Sequence, residues 1–341
     1  MHEQGVKVHL HCFEYGRPRS EELQKYCAEV FYYPREMNTR FLFSTLPYIV
    51  ISRKGEDLIN RLLLDSYPIL FEGLHSCYYL SEHRLKGRQL MVRNHNIEHD
   101  YYENLARVEK RLFKRIYFKR EAMKLKKFEK VLNLADPVFA ISKADELELK
   151  KRYPRVELLP AFHPNEKVVI PSGLGEFALY HGNLEVGENN EAALFLVRQV
   201  FAGSAIPLII AGKRASPELR AAIAGERNIT LKDNIPTAEI DELILRAQVN
   251  VLPTFQATGI KLKLLAALYN GRHCVVNSLM VMQTGLESLC STEDSAAGMK
   301  KEIERVFRIP VAKEEQEKRE RILNAGFSNK AGVVSLISFL R

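Results

Sequence analysis

Along the chain, short apolar runs of strand length alternate with stretches in which apolar residues recur every three or four positions. Residues 6–12 (VKVHLHC) read as a first strand. Ser20-Glu-Glu-Leu then reads as a helix start with a serine cap. Residues 29–33 form a second strand that stops at Pro34, and a helical stretch follows near 55–64. Ile69-Leu-Phe-Glu, residues 89–93 and residues 138–141 read as further strands, the last leading into a helix capped by Ser142. The apolar runs 46–51 and 206–211 also have strand length, far short of the roughly 20 residues a membrane-spanning helix needs.

Pro154, Pro160, Pro164 and Pro171 punctuate residues 153–175, where helical periodicity fades. Four breakers in so short a stretch predict a connector between domains. The expected division is an N-terminal domain over 1–160, a C-terminal domain over 161–325, and a closing helix over 326–341 that returns to the first domain. Beyond the connector the alternation is stricter. Strands are predicted at 177–180, 207–211, 229–231, 249–252 and 274–276, with helices at 190–201, 217–224, 238–247 and 260–269, and a helical tail from Thr292. Strand and helix in turn imply parallel strands with right-handed crossovers. The fold class is therefore α/β, with two Rossmann-like doubly wound domains facing across a cleft. In such sheets, ligands sit beyond the carboxyl ends of the strands.

A length of 341 residues suits two domains, and 46% hydrophobic with 27% charged residues is the balance of a folded globular protein. The opening Met1-His-Glu-Gln-Gly-Val-Lys lacks a basic region leading into an apolar one, so no secretory signal is expected. Five scattered cysteines without a Cys-x-x-Cys pair fit free thiols in a reducing cytosol better than zinc ligands or a disulfide framework.

Charge is concentrated. Between Arg107 and Lys130 lie 11 lysines and arginines against 3 acids, an excess equal to the whole net charge of +8. Leu105, Val108, Leu112 and Ile116 fall at helical spacing there, and Phe113, Tyr117 and Phe118 broaden the apolar side. Three readings stand: a solvated helix face, a basic amphipathic helix on an anionic membrane surface, and a nucleic-acid contact. No nucleic-acid module accompanies the segment, so nucleic acid is not expected as a partner. Location is expected to be cytoplasmic, peripheral on the inner face of the membrane under the second reading.

Candidate chemistry follows the second-half strands. Gly182 and Asn183 come after the first of them and Gly212-Lys213-Arg214 after the second. A glycine there lets the backbone approach a ligand, although a turn alone would explain it. Asp233 and Asn234 follow the third. After the fourth, a loop containing Thr258, Gly259 and Ile260 runs into a helix carrying Lys261 and Lys263 in its first turn. Dipole complementarity would favour acids at that end. A bound diphosphate sharing its charge between lysines and helix N–H groups accounts for the cations.

Together these residues resemble the nucleotide-sugar domain of a GT-B glycosyltransferase, most similar to family 4 of the sequence-based classification. The resemblance rests on His181-Gly-Asn-Leu with Asn189-Asn190, Ile209-Ile-Ala-Gly-Lys, Val251-Leu-Pro and Thr258-Gly-Ile-Lys-Leu-Lys-Leu-Leu-Ala-Ala-Leu. In the first half, Val92-Arg-Asn-His-Asn-Ile-Glu resembles the acceptor-side "His-Asn-x-Glu" segment of the same group. The resemblance implies a retaining transfer of a hexose from a nucleotide diphosphate sugar to a glycan or lipid-linked acceptor, with no cofactor and no dedicated metal. Lys263 would be the main diphosphate cation, assisted by Lys261 or Lys213. His95, Asn96 and Glu98 would meet the sugar or acceptor, although His95 also suits a histidine capping the next helix. The chain departs from the pattern at Ala266 and near Thr258 or Gln256, where the family carries glutamates. Losing a hydrogen bond from ribose to a charged acceptor costs about 1.5–3 kcal/mol. The alternative is a degenerate relative that scaffolds a glycan-assembly complex.

Overall fold

A computed structural model of the chain describes residues 1–16, 18–109, 111–255 and 262–340. The chain divides into two units, Met1–Pro160 with Lys330–Arg341, and Ala161–Asn329.

In the first unit, β1 (His9–Glu14) and β2 (Glu29–Pro34) form a parallel pair. A second parallel sheet holds β3 (Ile69–Glu72), β4 (Leu90–Asn94), β5 (Val138–Ala140) and β6 (Val156–Leu158) in that order. Leu58, Ile59 and Leu62 from one helix and Leu125 and Leu149 from two others bury themselves against Phe71, Val92, Val138 and Ala140 of the strands. Full burial of one such leucine contributes about 1.5–3 kcal/mol. The closing helix Asn329–Ser338 ends beside this sheet: the Phe339 ring packs edge-on against Phe139 at 5.3 Å, and the Gln89 amide donates to the Phe339 carbonyl.

Several local expectations change in the fold. The run 46–51 contains a short helix, Tyr48–Ile51, instead of a strand. Pro47 precedes it, and the buried Glu121 carboxylate accepts from Tyr48 N at 2.6 Å, satisfying a helix N–H from a distant element. Ser20 precedes a single tight turn, Glu21–Lys25, without a side-chain cap, whereas Ser142 does cap Lys143–Lys150 by accepting from Asp145 N at 3.1 Å. The connector region contributes β6, flanked by Pro154 and Pro160 and too short to show a pattern. The basic segment is two helices, Glu98–Val108 and Leu112–Phe128. A buried network joins them: Glu129 lies 2.8 Å from His99 Nδ1, takes an ion pair from Arg152, and accepts from the Tyr153 hydroxyl at 3.1 Å. The five cysteines are free thiols.

The second unit is one parallel six-stranded sheet. β7 (Ala178–Asn183), β8 (Leu208–Lys213), β9 (Ile229–Asp233), β10 (Val249–Val251), β11 (His273–Val276) and β12 (Ser291–Thr292) stand in the order β9-β8-β7-β10-β11-β12. The tail expected to be helical from Thr292 therefore begins as an edge strand. Side chains alternate between two covered faces: Ala178 and Tyr180 enter one cluster with Leu208 and Ile210, while Leu179 and Ala211 enter the other with Leu243 and Ile244. The fully buried Arg319 donates to the carbonyls of Leu268 and Gly271 at 3.2 and 2.7 Å, closing the C-terminus of helix Leu262–Asn270.

Candidate functional site at the switch point of the second sheet

The chain leaves β7 towards β8 on one side and later returns to place β10 on the other, so strand order reverses between β7 and β10. Crossovers diverge there and leave the carboxyl ends of both strands open to a ligand. Helix Gly187–Phe195 starts at this corner after β7, and helix Leu262–Asn270 follows β10.

Lys263 turns inward at this place. Its Nζ donates to Asn189 Oδ1 at 2.9 Å, lies 3.4 Å from the Tyr180 hydroxyl, and sits 5.0 Å from the Tyr180 ring centroid. The Tyr180 hydroxyl in turn donates to the Asn189 carbonyl at 3.0 Å, and the Asn189 amide donates to the Asn183 carbonyl at 3.0 Å. The half-buried lysine is thus held by Tyr180 of β7 and by Asn189 in the first turn of the following helix. Beyond β10, Thr254 donates its hydroxyl to Glu188. Its backbone N–H donates to Asn277 at 3.0 Å, and Asn277 donates back to the Thr254 carbonyl at 2.6 Å. Sequence reasoning singled out Lys263 and the Asn189-Asn190 pair but missed Tyr180, Glu188, Thr254 and Asn277. Their signal was positional only: a place within a strand, or in the first residues after one.

Burial, and then the charge of Lys263, lowers the His181 pKa to about 3, so the imidazole is neutral near pH 7. Burial likewise raises the Tyr180 phenol far above its ordinary value. The corner therefore sets the oriented Lys263 ammonium beside a neutral imidazole and a neutral phenol, with the Glu188 carboxylate committed to Thr254. A fixed ammonium of this kind is suited to holding an anion by preorganised electrostatics. Among the described residues, no three His, Cys, Asp or Glu side chains gather to hold a metal ion.

The His181 shift carries a pH prediction. Its folded pKa lies below the unfolded value of 6.5, so the unfolded chain binds more protons between pH 6.5 and about 3. The stability contributed by the neutral ring is complete above pH 6.5 and is lost as pH falls towards 3, at up to ~1.4 kcal/mol per pH unit. Urea unfolding of wild type and His181→Gln at stepped pH should show a shallower acid slope in the variant, and parallel slopes would refute it. His75 in the first unit is also lowered, to about 4, chiefly by burial, so only the difference between the two proteins reports His181.

The remaining expected site residues are placed as follows. Gly182 and Gly212 face each other across the β7–β8 register. A Cβ on Gly182 would meet the Asn189 amide group at 3.2–3.4 Å, and one on Gly212 would stand 2.0 Å from the Gly182 carbonyl oxygen. Asn183 accepts from Glu185 N at 3.2 Å and forms the turn into the next helix. Lys213 is exposed at the end of β8, and the neighbouring Arg214 is ion-paired with Glu185 at 2.7 Å. Asp233 commits its carboxylate to Ala215 N at 3.2 Å and to Arg220, while Asn234 accepts from Arg214 N at 3.1 Å; both side chains hold the loop after β8. Ala266 is half-buried against the Leu179 and Leu243 cluster. Thr258, Gly259, Ile260, Lys261 and Gln256 lie outside the described residues.

His95, Asn96 and Glu98 belong to the first unit, just beyond β4. His95 does not cap the following helix, whose cap position is Ile97; its Nε2 lies 2.8 Å from Glu72 Oε2, which also accepts from Arg93 at 3.1 Å. Asn96 is half-buried in the bend between, and burial raises the Glu98 pKa against the pull of His95 and Arg53.

No protein-family model matches the chain. An uncharacterized 44.6 kDa protein in the cps region of Klebsiella pneumoniae is 25% identical over 300 residues, covering 80% of this chain and 74% of that one. The crystal structure of a point mutant of S. aureus TarM, in complex with fondaparinux, alpha-GlcNAc-glycerol and UDP, superposes with a TM-score of 0.59 at 12% identity. That match covers 80% of this chain but 55% of TarM, so the chain spans about half of that protein's length. A glycosyltransferase from Rickettsia africae superposes with a TM-score of 0.59 at 11% identity over 94% of this chain and 86% of its own. Parallel α/β units and these superpositions lead to one conclusion: the chain has the GT-B fold of glycosyltransferases.

Proposed function

We propose that the protein is a retaining glycosyltransferase, moving a hexose from a nucleotide diphosphate sugar to an acceptor hydroxyl in glycan or polysaccharide assembly. The observation that carries the reading is the inward, hydrogen-bonded Lys263 at the switch point of the second sheet. Support comes from the UDP bound by TarM and from the cps-region setting of the Klebsiella relative. As the bond from the anomeric carbon to the leaving phosphate oxygen breaks, negative charge grows on the diphosphate. A fixed ammonium stabilises that charge without reorganising at the moment of reaction. The acceptor oxygen forms the new bond to the same carbon, and its proton passes to the departing diphosphate. Lys261 and Lys213 would assist the cation, and Gly182 with the loop at Thr258, Gly259 and Ile260 would let backbone approach the donor. Asp233 and Asn234 mark the base side, and His95, Asn96 and Glu98 are the acceptor-side groups. Retention of configuration rests on the family resemblance.

Ala266, packed among apolar side chains where the resemblance places a glutamate, favours the second reading of a non-catalytic scaffold. Calorimetric titration with nucleoside diphosphates, followed by transfer assays with their hexose conjugates, separates the two. Micromolar binding with turnover is expected. An absence of heat at millimolar ligand, or binding without turnover for every conjugate, would establish the scaffold instead.

A further inference from the structure

We infer that the outer face of helix Leu112–Phe128 lies on an anionic lipid bilayer. The helix spends one side on the core: Glu121, Ala122 and Leu125 are buried, and Lys124 on that flank is paired with Glu121 at 2.7 Å. The opposite side exposes an apolar stripe. Leu112, Ile116 and Met123 are 64%, 47% and 61% exposed and fall within about 40° of one another around the helix axis. Phe113, at 88% exposed, stands about a quarter turn from Leu112, outside the stripe. Exposed Arg115, Lys119 and Lys126 run along one edge, Arg120 and Lys127 along the other. Among the described residues, no carboxylate is ion-paired with any of these five cations.

The fold sharpens the charge seen in the sequence. Of the three acids in this segment, Glu121 and Glu129 are drawn into the interior, at 1% and 2% exposure, and leave the outer face nearly all positive. A face evolved only for water would carry its cations at the apex. Here the apex is apolar and the cations flank it, which matches acyl-chain boundary in the centre and phosphate headgroups at the sides. Among the described residues no helix is long and apolar enough to cross a membrane, so the contact is with the surface.

The test is co-sedimentation of the full chain, without nucleotide, with vesicles of phosphatidylglycerol and phosphatidylcholine in equal parts or of phosphatidylcholine alone. Binding to the anionic vesicles is expected, weakening as salt shortens the screening length. The double variant Lys119→Glu/Lys126→Glu should bind about tenfold more weakly or worse, and Leu112→Ser should lose a comparable factor through its apolar contact. Arg321→Glu, an exposed change in the second unit, should leave binding unaltered. Failure to bind anionic vesicles, equal binding to both vesicle types, or wild-type binding by both helix variants would overturn the inference. So would a dimer in sedimentation velocity that the helix variants dissolve, which would assign the face to a second copy of the chain. None of these outcomes depends on the donor site.

Discussion

Lys263→Ala is expected to weaken nucleoside diphosphate binding by about ten- to hundredfold and to slow transfer by about 10²–10³. The larger effect on transfer follows because the diphosphate is more negative in the transition state than in the bound donor, so the ammonium stabilises the former more. Lys263→Arg keeps the charge but replaces a compact ammonium with a planar fork, and should restore only part of the loss. Because Nζ meets Asn189 and Tyr180 at the edge of a half-buried site, melting should change little. Calorimetry, a transfer assay and a thermal melt on the same preparations check all three statements. Unchanged binding and transfer would remove Lys263 from the proposed donor site.

Gly212→Ala should instead damage the fold. Its new Cβ would stand 2.0 Å from the Gly182 carbonyl oxygen and 2.9 Å from Leu184 Cγ. The first of these is backbone in a hydrogen-bonded strand pair, so no rotamer change relieves it and β7 must part from β8. A loss of about 3 kcal/mol or more is expected, lowering the melting temperature of the unit by about 6–12 °C. Gly182→Ala, by contrast, meets only the Asn189 side chain, which can yield at a cost under about 1 kcal/mol. Asn189 is the partner that orients Lys263, so this variant should melt nearly like wild type and lose ligand affinity. Equal melting of Gly212→Ala and wild type would show that the strand spacing is softer than drawn.

Much of the second unit was legible in advance because β7, β8, β10 and β11 are largely buried on both faces. Such strands show as uninterrupted apolar runs such as Leu208-Ile-Ile-Ala, bounded by turn residues and helical periods. Elements that rest on few residues were not. β6 and β12 are three and two residues long and are stabilised by neighbours distant in sequence, so no local period announces them. The run around Tyr48 took helical form through a carboxylate seventy-three positions away. In the basic segment, the apolar positions Val108, Leu112 and Ile116 were read as one side of a helix, and the fold turns them outward.

The order of the longer strands and helices in the second unit, the position of the lysine after β10 and the local excess of positive charge were determined by the sequence alone. Each is a property of neighbouring residues, and backbone period, turn chemistry and charge count act over a few positions. Which way Lys263 points, which glycine guards the strand spacing and which acids vanish into the interior were decided only by the tertiary structure. Those outcomes depend on contacts such as Lys263 with Asn189 and Glu121 with Tyr48, whose partners are brought together when burial of apolar surface closes the chain on itself.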